Sequence, residues 1–373
     1  MSTVPPNGPI APRPAAGRAG RRHAPRITAR GRAVGGLLAV LIAIVLAGRS
    51  PDAGQPTAPA AATPVPTANA TVAPSAVAPT EGNAPALLFL GNVEGPWQLS
   101  LLSPTGGVVP LPLPDSATVA VAPVAGGGLV ALTADGRAYG APGGAAALAA
   151  GGSWDPLPLA ADGALPPASV IYPGASVSPG GMAVAAAALQ PDGGGHGAIV
   201  VIMLHEQRMT IYSLEPQVAG LPSAWLDDER FAVLGRDVMD RINIGVVRAA
   251  DGRILDLLRR RAPYLVTSGD GQTVAVAGAD ALEPGRIRIG TTAQMVRERA
   301  LPDRGPSLPA GAYPSGGMAL DGDGRRLAVV ATGDHLDAPA RVFLFERAGE
   351  GWREVAMVAA PAGASGGTIA WLP

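Results

Sequence analysis

The 373-residue chain carries 51 Gly and 39 Pro with only 15% charged residues and 4% aromatics, which excludes a coiled coil, a helical bundle and a highly charged disordered chain. It has no Cys, so disulfides, thiolate metal sites, iron–sulfur clusters and cysteine nucleophiles are excluded too. The net charge of −1 hides an asymmetry, because residues 1–34 hold seven Arg and no acid while residues 85–373 hold 20 Arg against 27 Asp and Glu.

Residues 1–32 read as a basic, disordered cytoplasmic tail. Residues 33–48, A-V-G-G-L-L-A-V-L-I-A-I-V-L-A-G, are uncharged and bounded by Arg32 and Arg49. As a helix they span roughly 24 Å, and snorkelling of the flanking arginines covers the shortfall against the hydrocarbon core. The segment has no polar face, so a single transmembrane helix is expected, with the arginines keeping the N-terminus inside. A signal peptide cleaved near Ala47, after Val45-Leu46, is the alternative. The tail lacks interleaved aromatics, so nucleic acid is not an expected partner. Residues 49–85, rich in Pro, Ala and Thr, form an extended linker that holds the rest of the chain off the membrane.

From residue 86 to 373 short apolar runs alternate with Gly, Pro and Asp turns. A tight turn followed by a strand with a small Ala recurs, as in Ser178-Pro179-Gly180-Gly181 before M-A-V-A and Asp321-Gly322-Asp323-Gly324 before R-R-L-A-V-V. The anchor alanines are Ala131, Ala183, Ala232, Ala275 and Ala328, at separations of 52, 49, 43 and 53 residues. Such a period of short strands is the signature of radial β repeats. Each period is expected to supply four strands. Around Ala328 these are Gly317–Leu320, Arg326–Val330, Arg341–Phe345 and Trp352–Val358. The preceding period gives Tyr264–Thr267, Thr273–Ala277, Arg286–Ile289 and Met295–Ala300.

The ends complete one another. Thr368-Ile369-Ala370-Trp371-Leu372-Pro373 matches Pro222-Ser223-Ala224-Trp225-Leu226-Asp227 as a first strand reaching its turn, while Ala86–Leu90 is a second strand lacking its first. Joining them leaves six sheets, anchored near Leu88 and the five alanines. The expected fold is all-β: a six-bladed β-propeller of four-stranded blades, closed by the C-terminal strand, after one transmembrane helix. The turn-and-Ala segments resemble the WD-like propeller repeats of TolB-type periplasmic proteins, of form S-P-D-G-x-x-[LI]-A-[VF]. Ser178-Pro179-Gly180-Gly181 with Ala183-Val184, and Asp323-Gly324 with Leu327-Ala328-Val329, carry the resemblance. It covers most of residues 86–373 and implies a propeller that binds partners.

Chemistry is sparse. His205-Glu206 falls in a predicted hairpin turn, and Asp334-His335-Leu336-Asp337 has too few fixed ligands for a metal loop. Asp321-Gly322-Asp323-Gly324 lacks the distal acids of a calcium site. No catalytic set, cofactor site or metal site is expected, although an enzyme working in the propeller channel is the alternative class. Loops joining second to third strands share a face with the connections between blades. Those loops gather Asp237, Asp240, Asp280, Glu283, Asp334, His335 and Asp337 with the aromatics Trp154, Tyr172 and Tyr313. This long-loop face is the expected binding surface for a protein, peptide or glycan, with cationic or amphipathic partners suiting its acids.

Overall fold

The computed structural model describes residues 86–93, 97–189, 197–213, 219–236, 242–258, 264–278, 283, 285–298, 305–333, 339–361 and 364–372. The chain divides into two compact units, Met1–Val65 and Pro66–Pro373, and every described residue belongs to the second. The tail, the expected transmembrane segment and the linker lie outside the described residues. Among the described residues no helix is long and apolar enough to cross a membrane.

Six sheets follow one another along the chain, antiparallel throughout except where Ala160–Asp162 pair parallel with the outer strand of blade 3. Blade 1 holds β1 (Leu87–Val93), β2 (Trp97–Leu102) and β3 (Val108–Leu111). Blade 2 holds β4 (Thr118–Pro123), β5 (Leu129–Thr133), β6 (Ala138–Ala141) and β7 (Asp155–Pro156). Two short strands, β8 (Ala160–Asp162) and β9 (Val170–Ile171), lead into blade 3, with β10 (Ser176–Val177), β11 (Ala183–Leu189), β12 (Gly197–Met203) and β13 (Arg208–Ser213). Blade 4 consists of β14 (Ala219–Trp225), β15 (Arg230–Arg236), β16 (Ile242–Arg248) and β17 (Ile254–Leu258). Blade 5 has β18 (Tyr264–Thr267), β19 (Thr273–Ala277) and β20 (Ile287–Thr291). Blade 6 has β21 (Tyr313–Leu320), β22 (Arg326–Thr332), β23 (Arg341–Ala348) and β24 (Gly351–Ala359). The last strand, β25 (Ala364–Trp371), returns to blade 1 as its inner strand and pairs with β1, with Leu88 opposite Ala370 and Leu87 opposite Trp371. The inner strands touch in the closed order β25, β4, β10, β14, β18, β21 and back to β25. The fold is therefore a six-bladed β-propeller, and its ring closes as the two chain ends foretold.

Packing explains the repeat. Six apolar clusters fill the six spaces between neighbouring blades, from Leu88, Leu99, Val121 and Leu129 between blades 1 and 2 round to Phe89, Ala328, Val342 and Trp371 between blades 6 and 1. A second strand is covered by a neighbouring blade on each side, so it reads as a continuous apolar run, such as A-V-A-A-A-A-L in β11. The anchor residues Leu88, Ala131, Ala183, Ala232, Ala275 and Ala328 are all buried there. Where sheets pack about 10 Å apart, a small side chain on one face leaves room for a large one opposite. Trp225 and Phe231, cross-strand neighbours on blade 4 with ring centroids 5.3 Å apart, fill the space that Ala183, Ala185 and Ala187 of blade 3 leave.

In blades 3 to 6 the turn residue before the second strand has a defined task. Ser178 Oγ accepts the Ala183 amide at 3.1 Å, and Ser268 Oγ accepts that of Thr273 at 2.9 Å. Asp227 Oδ1 takes the Arg230 amide at 2.7 Å, and Asp321 Oδ1 takes those of Arg325 and Arg326 at 2.7 and 2.9 Å. A short side-chain oxygen that satisfies the turn amides is the requirement, so Ser and Asp interchange. Degeneracy of the repeat follows from that equivalence.

Three expectations are corrected. Met295–Ala300 is not an outer strand: Thr292–Glu298 form a short helix, which buries Met295 against Ile244 and Val246 of blade 4. Ala, Gln, Arg and Glu around Met295 favour a helix when the apolar partner lies on one side only. Among the described residues blade 5 is consequently three-stranded, supplemented by a bridge between Arg286 and Ser307. The inner strand of blade 3 is also split, because β9 and β10 pair with separate parts of β11. Finally, Trp154 does not lie in a connection between blades, as residues 142–154 join the third and fourth strands of blade 2 and carry the helix Gly144–Ala149.

Candidate functional site

In antiparallel blades the first-to-second and third-to-fourth connections share one face, and the remaining connections share the other. Tyr313 opens β21 on the long-loop face and is 40% exposed. Glu283 lies on the same face in the loop after β19, exposed, with its carboxylate 2.9 Å from the Arg286 guanidinium. Asp237, Asp240, Asp280, Asp334, His335 and Asp337 lie outside the described residues.

Two of the expected aromatics serve packing. Trp154 falls in the third-to-fourth connection of blade 2 but reaches to the connection between blades 1 and 2. Its indole donates to the Pro112 carbonyl at 2.9 Å and its ring packs on the cluster between blades 1 and 2. Tyr172 is half-buried against the cluster between blades 3 and 4, and burial pushes its phenol pKa up. Exposure of a loop aromatic is decided by what the loop lies on, and here both loops lie on blades. His205-Glu206 sits in the exposed turn between β12 and β13, with His205 Nε2 3.5 Å from the carboxylate.

Segments of several blades meet at two levels of the ring. The break between β9 and β10 lets residues 172–175 leave the inner strand of blade 3. There the Gly174 amide bonds to Val119 O of blade 2 at 3.2 Å. Gly174 has φ +104°, and a Cβ on it would stand 3.4 Å from the Thr368 methyl of blade 1, so three blades meet at this residue. On the opposite face the turns converge. A Cβ on Gly271 of blade 5 would stand 2.9 Å from the Pro179 ring of blade 3 and 3.2 Å from Leu226 O of blade 4. Asp321 is spent in its turn, since Oδ2 also accepts Arg326 Nε at 2.7 Å. Among the described residues no three His, Asp or Glu converge as metal ligands.

The long-loop face also bears an open cavity of about 440 Å³ between the outer strands of blade 1 and the connection to blade 2, which the sequence reading missed. Its lining includes Trp97 and Gln98 at the start of β2, with Leu113, Pro114, Asp115 and Ser116 from the connection to β4. Trp97 is half-buried and packs on the clusters on both sides of blade 2. Asp115 is held in place, with Oδ1 accepting the Ala117 amide at 2.8 Å and Oδ2 3.0 Å from the Arg137 guanidinium. The available signal was Pro96-Trp97-Gln98 entering a strand, followed by the Pro-rich run Leu111-Pro112-Leu113-Pro114-Asp115.

These features define a six-bladed propeller with an open cavity on its long-loop face. No protein-family model and no curated protein sequence matches the chain. Among solved structures it is similar to TolB from Acinetobacter baumannii, at 11% identity over 78% of this chain and 67% of that one, with a TM-score of 0.45. A putative 6-phosphogluconolactonase from Bacteroides uniformis is similar at 12% identity over 74% of this chain and 83% of that one, with a TM-score of 0.43. An oligogalacturonate lyase in complex with manganese is similar at 12% identity over 71% of this chain and 86% of that one, with a TM-score of 0.38.

Proposed function

We propose that the chain is a membrane-anchored, exported propeller that acts as a non-catalytic binding or scaffold module through its long-loop face. The observation that carries this reading is the long-loop face itself, where an open cavity edged by Trp97, Gln98, Asp115 and Ser116 lies on the same side as the exposed Glu283 and Tyr313. The anchor is residues 33–48, with the seven upstream arginines retained in the cytoplasm. The partner is a protein, peptide or glycan, and no cofactor or metal is needed.

Partner capture from membranes by the full-length chain tests the surface. Glu283→Arg combined with Tyr313→Ala should lose partners that the parent chain retains, and a variant that keeps every one of them removes the long-loop face from consideration. Protease added to intact spheroplasts should digest residues 86–373 and leave a small membrane fragment. A protected full-length chain would exclude export.

A further inference from the structure

We infer that the cavity beside Trp97 is a saccharide-binding subsite, an inference that rests on the long-loop-face reading. Its volume of about 440 Å³ lies within the ~300–1,000 Å³ of small-ligand sites. A pyranose ring has a face of C–H bonds and a perimeter of hydroxyls, so its recognition requires one flat apolar platform edged by fixed donors and acceptors. Trp97 is such a platform. It is half-buried and wedged against the clusters on both sides of blade 2, so its ring is fixed before any ligand arrives. The polar edge comprises the Gln98 amide, the Asp115 carboxylate and the Ser116 hydroxyl. An amide both donates and accepts, a hydroxyl does likewise, and a carboxylate accepts only, which suits sugar hydroxyls that do both. Asp115 is preorganised by the Ala117 amide and Arg137, and each oxygen keeps a lone pair for a ligand.

The remaining wall is rigid for a covalent reason. Pro110, Pro112 and Pro114 fix φ along the segment, and the Trp154 indole pins the Pro112 carbonyl. Little conformational freedom is lost when a ligand enters, which favours binding. A proline-rich peptide would also stack on Trp97. A peptide groove of that kind needs an aromatic-lined trough, however, and this cavity offers one aromatic with a polar trio.

The test is calorimetric titration of the full-length chain, purified in a sugar-free detergent, with cellotetraose and chitotetraose, and with decaproline for comparison. At least one tetrasaccharide is expected to bind with a submillimolar Kd, and Trp97→Ala to weaken it by about tenfold or more with the fold retained. Gln98→Ala, at an exposed position, should weaken the same sugar severalfold and serves as the test if Trp97→Ala does not fold. The inference is overturned if neither sugar binds at about 10 mM. It is equally overturned if the affinity survives the decisive substitution, or if decaproline binds in place of the sugars. Absence of sugar binding while Glu283→Arg with Tyr313→Ala still abolishes partner capture would remove the subsite and leave the binding-module reading standing.

Discussion

The indole of Trp371 donates to the Ala319 carbonyl at 3.1 Å, tying the last strand of the chain to the inner strand of blade 6. Trp225 makes the same bond one half-ring away, to Ser176 of blade 3 at 2.9 Å. Thr267 Oγ1 continues the pattern by donating to Trp225 O at 2.5 Å. Each donor ends an inner strand and reaches the inner strand of the preceding blade, so the link is a repeated joint of the ring. At the closure it is reinforced, because Arg326 Cζ stands 5.1 Å from the centroid of the Trp371 ring and is itself held by Asp321.

This joint makes closure testable. Trp371→Ala should cost about 3–5 kcal/mol, the usual range for truncating a buried aromatic. Trp371→Phe keeps most of the apolar area and loses the donor, so a cost of about 1–2 kcal/mol is expected. Denaturant unfolding of both variants measures the difference. Equal, negligible costs would mean that β25 does not close the ring.

The turn oxygen allows an exchange experiment. Asp321→Ala removes the buried acceptor of the Arg326 amide and guanidinium, and one of two acceptors of the Arg325 amide, and should cost about 1–3 kcal/mol. Asp321→Ser should recover part of that loss, because Ser178 and Ser268 do the same work in blades 3 and 5. Failure of Ser to improve on Ala would show that the Arg326 contact, and not the capped turn, carries the stability.

Trp154 offers a separate check on the two faces. Trp154→Ala removes the bond to Pro112 and packing between blades 1 and 2, so a loss of about 2–3 kcal/mol is expected. Capture through Glu283 and Tyr313 should persist once the variant is folded, whereas binding in the cavity walled by the Pro112 segment should weaken. Full stability with lost capture would place this residue on the binding surface after all.

The hairpin after β16 gives a pH signature. A hydrogen bond from Arg248 is the main cause that lowers the Asp251 pKa to about 2, assisted by the Arg253 amide. A lowered folded-state value means that the contribution is held above the unfolded value near ~3.9 and lost as pH falls through about 2. The pair is solvent-exposed, so stability at neutral pH should barely change when it is removed. Carboxyl titration by NMR should show the low midpoint, and Arg248→Ala should return it toward ~3.9. A midpoint near ~3.9 in the parent chain would disprove the pairing in solution.

Much of this propeller was legible without coordinates. Second strands are enclosed by a blade on either side wherever they occur, so Ala131, Ala183, Ala232, Ala275 and Ala328 had to recur as small residues in apolar runs. The match of Ala370-Trp371-Leu372 to Ala224-Trp225-Leu226 likewise revealed the closing strand, because both Trp residues fill the same joint. Tertiary structure alone decided the outer parts. Thr292–Glu298 becomes a helix because Met295 finds Ile244 and Val246 on blade 4. Tyr172 is half-buried because β9 and β10 part beside blade 4, and Trp154 is occupied because Pro112 of another blade accepts its indole. Trp97 becomes a platform because two clusters grip it. A pattern repeated in every blade is written in local sequence, since each copy meets the same neighbours. An outer strand or a loop aromatic meets a different neighbour in each blade, and that neighbour lies dozens of residues away.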